Sequence, residues 1–379
     1  MIKFLSAAKI DSSKKACLLR LDLNIIDGWR LKRSLPTIKW LLRGKKKIII
    51  LSHKGRPKGV EKYLSLRGEA GRLEKLLRKK IYFFNHFKFS DIKATIKKSL
   101  PGSIFLLENL RFLPGEQKNS LKLAKQLSGL GDFYVNDAFA VCHRADTSVA
   151  AITKFLPSFA GLDLEKEIEN LSQAVKNSPP PYLVILGGSK ISTKLPVFNH
   201  LKSKADIFLI GGALANNLLL AAGYEVGKSM TEKEMLKESK KIIKNKKIIL
   251  PKDVVVNDSR KKINKDIDKI KKDEIILDIG PKTVELFSEK IQKARMIVWN
   301  GPMGKFEEKG FEKGTKEIAK AVLNNKKAKI IIGGGETIAS LRIMNHESRI
   351  KNNTFISTGG GAMLEFLAGR KLAGLEALK

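Results

Sequence analysis

Val184-Ile185-Leu186-Gly187-Gly188-Ser189-Lys190-Ile191-Ser192-Thr193-Lys194 runs from a buried-strand pattern through a glycine turn into the start of a helix. The same device recurs at Leu209-Ile210-Gly211-Gly212, at Ile330-Ile331-Ile332-Gly333-Gly334-Gly335 and at Phe355-Ile356-Ser357-Thr358-Gly359-Gly360-Gly361. A strand followed by glycine and a helix lets backbone N–H groups approach a phosphate: side-chain cover is missing, and the helix N-terminus adds partial positive charge. One such turn serves equally well as a tight connection with no ligand. Four in one half of a chain point to a phosphorylated ligand.

Outward from these turns, short apolar runs alternate with amphipathic stretches. The pattern predicts strands at 16–23, 47–52, 103–107, 132–136, 182–186, 207–210, 247–250, 274–279, 296–299, 329–332 and 354–357. Most are apolar without alternation, as strands covered on both faces are, and the intervals are long enough for helical crossovers. This is the pattern of α/β architecture with mostly parallel sheets. Asn177-Ser178-Pro179-Pro180-Pro181 ends a charged helical stretch, Leu162 to Val175, and marks the best boundary. The expected organisation is an N-terminal half over 1–157, a connecting helix over 158–178 and a C-terminal half over 179–369.

The 379 residues suffice for two domains, and 43% apolar content provides a core for each. The formal charge of +35 has two readings, an anionic partner or a lysine-rich composition. Runs such as Lys45-Lys46-Lys47 and Lys240-Lys241 are scattered and carry no interleaved aromatics, which favours composition over a specific nucleic-acid site. Two cysteines, Cys17 and Cys142, exclude a disulfide framework and fit a reducing cytoplasm. The Phe4–Ala8 run is too short for a signal segment. The uncharged Ile207–Tyr224 stretch is interrupted by Gly211-Gly212 and Asn216-Asn217, so it reads as buried strand, turn and helix, with no membrane partner expected.

No G-x-x-x-x-G-K-[ST] motif is present, nor a clean G-x-G-x-x-G with an acidic ribose partner, which excludes a P-loop and disfavours a dinucleotide fold. Lys190 and Lys194, four apart, are expected on one helix face, either neutralising a phosphate chain or as a solvated pair. Glu336, after Gly333-Gly334-Gly335, is either a helix N-terminal carboxylate or a holder of Mg²⁺ against phosphates. In the N-terminal half, Arg20, Asp22 and Asn24 alternate at a strand end. Arg30, His53, Arg56, Arg111, His143 and Arg144 lie at or after strand ends. They are either surface charges or groups converging on one anion.

Taken in order, these segments resemble the phosphoglycerate kinase family over essentially the whole chain. They are Arg20-Leu21-Asp22-Leu23-Asn24, Ser52-His53-Lys54-Gly55-Arg56-Pro57, Leu107 to Phe112, Tyr134 to Phe139, His143-Arg144, Gly187 to Lys190, Asp278 to Pro281, Val298-Trp299-Asn300-Gly301-Pro302-Met303-Gly304, Gly333 to Thr337 and Ser357 to Ala362. The resemblance implies two doubly wound, Rossmann-like parallel-sheet domains joined by a helix and hinge, with the tail, 370–379, returning to the N-terminal domain. It implies reversible phosphoryl transfer from 1,3-bisphosphoglycerate to Mg-ADP, giving 3-phosphoglycerate and ATP in glycolysis, by a cytoplasmic monomer whose domains close. Asp22, Asn24, Arg30, His53, Arg56, Arg111 and Arg144 match the family's triose-phosphate site. Lys190 and Lys194 match its phosphate-binding lysines, and with Arg30 would be the catalytic cations. Gly211, Gly212, Glu307, Gly334, Gly335, Glu336 and Thr337 match its nucleotide site, with Glu336 as metal ligand.

The chain departs from the family pattern in several places. Glu336 stands where the family usually has Asp. Lys54 replaces a usual Leu, Lys305 a small apolar residue, and Asp146 stands where a second His is frequent. Thr193 stands where many members have Asp, and the stretch from Asn24 to Arg30 is shorter than usual. None of these removes a principal arginine or lysine, so an active enzyme is expected.

Overall fold

The computed structural model describes residues 1–24, 28–176, 178–258, 261–344 and 350–379, with the side chains of 28–30 outside the description. The chain divides into two compact units, Met1–Glu169 with Lys371–Lys379, and Asn170–Arg370.

In the first unit the strands are β1 (Ala16–Arg20), β2 (Lys47–Leu51), β3 (Ile81–Phe84), β4 (Ile104–Leu107), β5 (Phe133–Asn136) and β6 (Ser158–Ala160). They form one sheet in the order β3-β4-β2-β1-β5-β6, parallel at every pairing. The central strands β1, β4 and β5 are buried at every residue, because helices cover both faces. β3 and β6 carry no sequence expectation of their own. Ser158–Ala160 falls inside the span read as connecting helix, and the helix itself is Leu162–Lys176. The Asp137 carboxylate caps its first turn by accepting from the N–H groups of Asp163 and Leu164 at 2.9 and 3.0 Å. The tail joins this unit through a hydrogen bond from Gly374 N–H to the Cys142 carbonyl, 2.8 Å, and through buried Leu372, Leu375 and Leu378.

The second unit holds β7 (Tyr182–Leu186), β8 (Ile207–Ile210), β9 (Ile248–Ile249), β10 (Asp253–Asp258), β11 (Lys261–Asp266), β12 (Ile275–Ile279), β13 (Met296–Asn300), β14 (Lys329–Gly333) and β15 (Thr354–Ile356). Its parallel sheet runs β15-β14-β13-β7-β8-β9. The chain leaves β7 toward one edge and returns to β13 on the other side of β7, so the order reverses between these two strands. Ligands of open α/β sheets bind beyond the carboxyl ends at such a reversal.

Strands β10, β11 and β12 form a separate antiparallel sheet in the order β11-β10-β12. The 274–279 run therefore does not enter the parallel sheet. β11, Lys-Lys-Ile-Asn-Lys-Asp, is half-buried to exposed at every residue. A charged edge strand has no apolar run to betray it and is defined by its partner.

Candidate active site: two clusters at the carboxyl ends of the sheets

In the first unit, the ends of β1, β2 and β4 bring basic groups together. Arg20, the last residue of β1, is fully buried. Its Nε donates to Ser148 Oγ at 2.9 Å, its Nη1 donates to the Leu21 carbonyl, and its Nη2 lies 3.1 Å from His53 Nδ1. Beneath it, Ser148 donates to the buried Glu116 carboxylate at 2.5 Å. His53 is also buried, and Asp22 Oδ1 is 4.0 Å from its Nδ1. Burial, then the charges of Arg20, Arg111 and Arg144, hold its imidazole well below the usual range, so the ring is neutral at pH 7.

Arg111 is buried at the start of the turn after β4. Its Nη1 donates to the Gly55 carbonyl at 2.5 Å, and Asp146 lies 3.6 Å from its Nη2. Among the described residues, Arg111 Nε and Nη2 have no hydrogen-bond acceptor. A buried guanidinium with free N–H groups is costly unless an anion completes it. Asp22 and Asn24 follow β1 and lie in its loop, where Asn24 Oδ1 accepts from Gly55 N–H at 2.8 Å and pins the Ser52–Pro57 turn. Arg56 is exposed on that turn, and Arg144 is half-buried with its Nε 3.2 Å from His143 Nε2. The backbone of Arg30 lies in the helix Gly28–Arg43, and its side chain is outside the described residues. Arg20 belongs to this cluster although the sequence reading left it out of the ligand set; its place at the end of an apolar strand was the available signal.

In the second unit, the turns after β7 and β13 meet at the strand-order reversal. Gly187 N–H donates to the Asn300 carbonyl at 3.0 Å, and Gly188 N–H to the Pro302 carbonyl at 2.9 Å. The turn after β8 closes on them: a Cβ on Gly212, whose φ is +61°, would stand 2.7 Å from Gly188 N. Glycine is required there by both backbone angle and space. Beside these turns lies a cavity of about 670 Å³. Its wall carries Gly188, Ser189 and Gly212, the carboxylates Glu307 and Glu336, and apolar groups including Met303 and Leu277. That is the size and mixture of a small-molecule pocket. Its apolar wall comes partly from β12, whose last two residues, Asp278 and Ile279, begin the Asp278–Pro281 segment.

Lys190 does not share a helix face with Lys194. The helix is Ile191–Leu201, and Lys190 is its N-cap in extended conformation, exposed. Lys194 is buried, and its Nζ donates to the Asn300 side-chain oxygen. Burial lowers its pKa to about 8, against the opposing pull of the Glu336 carboxylate. Glu336 opens the helix Gly335–Ile343, and its Oε2 is 3.5 Å from the place a Cβ on Gly188 would occupy, so it reaches over the β7 turn. Thr337 is fully buried, and its hydroxyl accepts from Gly301 N–H at 2.7 Å. It braces the β13 turn, leaving its backbone N–H as the group available at the helix start. Gly211 N–H is taken by the Leu186 carbonyl at 2.9 Å, and Gly334, with φ +100°, forms the N-cap.

Basic side chains thus gather at the strand ends of the first unit, and a partly apolar cavity lies beside the glycine turns of the second. The phosphoglycerate kinase family model matches residues 8–370. The chain belongs to the phosphoglycerate kinase family. It is 42% identical over 386 residues to a phosphoglycerate kinase of Dictyoglomus turgidum, covering 97% of this chain and 96% of that one. It is 41% identical over 397 residues to one from Desulfosudis oleivorans, covering 99% and 98%. Among solved structures it is similar to phosphoglycerate kinase from Coxiella burnetii, with TM-score 0.87, 36% identity and coverage of 100% and 99%. It is also similar to the enzyme from Pyrococcus horikoshii, with TM-score 0.86 and 33% identity. The chain is thus a kinase of glycolysis, a phosphotransferase that binds a nucleotide and has the family's two-unit α/β fold.

Proposed function

We propose that the first unit binds 3-phosphoglycerate or 1,3-bisphosphoglycerate through Asp22, Asn24, Arg30, His53, Arg56, Arg111 and Arg144, and that the second binds ADP or ATP in the cavity beside Gly188 and Gly212. The observation that carries the first assignment is the buried Arg111 guanidinium, whose Nε and Nη2 lack acceptors among the described residues. A phosphate or carboxylate would take both N–H groups in the bidentate geometry arginine favours. His53, neutral and bonded through Nδ1 to Arg20, is left with Nε2–H to donate to a ligand oxygen.

In the second unit, the cavity's apolar wall suits a nucleobase and Glu307 a ribose hydroxyl. The backbone N–H groups opening the helix Gly335–Ile343, with Lys194, suit the phosphates, whereas Gly212 and Leu214 N–H are taken by the Met303 and Gly188 carbonyls. Residues present also fit Mg²⁺. Among the described residues no group of three or more potential ligands exists, and Glu336 is a single carboxylate over a glycine turn. One carboxylate completed by substrate phosphates is how Mg²⁺ is commonly held. Bound there, the ion would neutralise phosphate charge and orient the terminal phosphoryl group.

The acyl phosphate has a carboxylate leaving group and the acceptor is a phosphate oxygen, so no proton need be removed. The protein's work is alignment and charge stabilisation. Arg30, Lys190 and Lys194 are proposed to face the transferring group, Lys190 by its exposed position ahead of the helix. The +35 charge is read as composition, without a specific nucleic-acid partner. We read the enzyme as a monomer and as cytoplasmic, the latter because its two cysteines are free and buried, as in a reducing compartment.

The decisive assay couples 3-phosphoglycerate and ATP consumption to a reporter, with and without Mg²⁺. Turnover that needs both substrates and the metal is expected. Arg30→Ala should abolish it with the fold retained, and near-normal turnover in that variant would remove Arg30 from the site.

A further inference from the structure

Asn300 occupies a position that no motif-based role explains. It is the last residue of β13, between β7 and β14 in the sheet, paired in register with Leu186 on one side and Gly333 on the other. It is 2% exposed. Its carbonyl accepts from Gly187 N–H at 3.0 Å, its amide Nδ2 donates to the Gly333 carbonyl at 2.8 Å, and its Oδ1 accepts from Lys194 Nζ. Three parts of the nucleotide half-site therefore meet on one residue: the turn after β7, the turn after β14 that leads to Glu336, and the ammonium of Lys194.

The chemistry of that contact matters. A buried ammonium is normally held by a carboxylate, which satisfies its N–H groups but cancels its charge. An amide oxygen orients the ammonium while leaving its net charge intact. Glu336 is the carboxylate whose charge acts on Lys194 among the described residues, while the hydrogen bond of the Lys194 ammonium goes to the Asn300 amide oxygen. We propose that Asn300 is a positioning residue that aims the Lys194 ammonium at the phosphate turn with its charge uncancelled and locks it in register with the Gly333–Gly335 turn. The amide cannot reverse: its Nδ2 is committed to the Gly333 carbonyl, so Oδ1 must face Lys194.

This rests on the phosphate role proposed for Lys194. The test uses the full-length chain labelled with ¹³C at lysine Cε, with the Lys194 signal assigned by its loss in Lys194→Arg, and compares Asn300→Asp and Asn300→Ala with the parent. A carboxylate at 300 should raise the Lys194 pKa by about one unit or more and cut kcat at least about tenfold. Alanine, which removes the acceptor for the charged form, should lower that pKa and weaken ADP binding most at alkaline pH. Lys194 titrating alike in parent and variants would overturn the proposal, as would Asn300→Asp turning over normally with its Lys194 pKa raised. If one variant fails to fold, the titration of the other decides. Lys194→Met is assayed in parallel: full activity there would refute the phosphate role itself, while the titrations still report whether Asn300 governs Lys194.

Discussion

Arg20 Nη2 and His53 Nδ1 stand 3.1 Å apart in a region closed to solvent. Arginine has only donors, so His53 Nδ1 is the acceptor and the proton sits on Nε2. The contact fixes both tautomer and charge, and burial with Arg20, Arg111 and Arg144 keeps the ring neutral. The folded pKa lies below the unfolded value of about 6.5. As pH falls below about 6.5, the unfolded chain takes up a proton that the folded chain refuses, so stability declines. His53→Gln should lose that component. Denaturant unfolding between about pH 7.5 and 5.5 should show a stability difference between parent and variant that changes by up to about 1.4 kcal/mol per pH unit. A difference independent of pH would mean that His53 takes up its proton as readily in the fold as in the unfolded chain.

Arg56 and Arg111 should separate binding from stability. Arg56 is exposed and Arg111 buried. Arg56→Ala should leave the melting temperature within about 1 °C and raise KM for 3-phosphoglycerate about tenfold or more, from the loss of a charge-assisted hydrogen bond. Arg111→Ala should raise KM as strongly and also strand Asp146 without its ion-pair partner.

Nucleotide affinity should fall with rising pH through about 8, where Lys194 loses its proton in the free protein. The sign follows because only the ammonium attracts phosphate. Binding would be accompanied by proton uptake near that pH, measurable as a buffer-dependent heat in calorimetry. Affinity should fall by about tenfold per pH unit at the limit, and Lys194→Met should be flat over the same range.

Glu336→Gln keeps the length of the side chain and removes the charge. Half-maximal turnover should then need several-fold more Mg²⁺, with activity partly restored at high metal. An unchanged metal requirement would place the ion elsewhere. Glu336→Asp shortens the reach over Gly188 and measures how far the extra methylene matters.

Gly212→Ala should destabilise the second unit by about 2 kcal/mol or more, because the position has φ +61° and a Cβ would meet Gly188 N at 2.7 Å. It should weaken ADP binding while leaving 3-phosphoglycerate binding intact.

The apolar runs and the glycines after them were legible in the chain, and all four turns lead into helices, Ile191–Leu201, Gly212–Ala221, Gly335–Ile343 and Gly361–Leu367. Their conformations are local: an apolar run sufficient for a buried strand, a residue free to take positive φ, then helix-forming sequence. Strand β11 was illegible because its residues are charged and only pairing with β10 makes it a strand. The helix face expected for Lys190 and Lys194 was a matter of one residue at the boundary, where sequence patterns are least informative.

The sequence by itself determined the α/β class, the glycine turns after the strands and the basic residues at strand ends, since these depend on short-range patterns and residue chemistry. Tertiary structure alone decided which groups are buried and which meet. Arg20 is locked against His53 across 33 residues, and Lys194 against Asn300 across 106. Parallel strands bring their carboxyl ends to one edge regardless of separation along the chain. Spacing in sequence therefore carries no record of those pairs, although they set the charge and direction of the side chains in both half-sites.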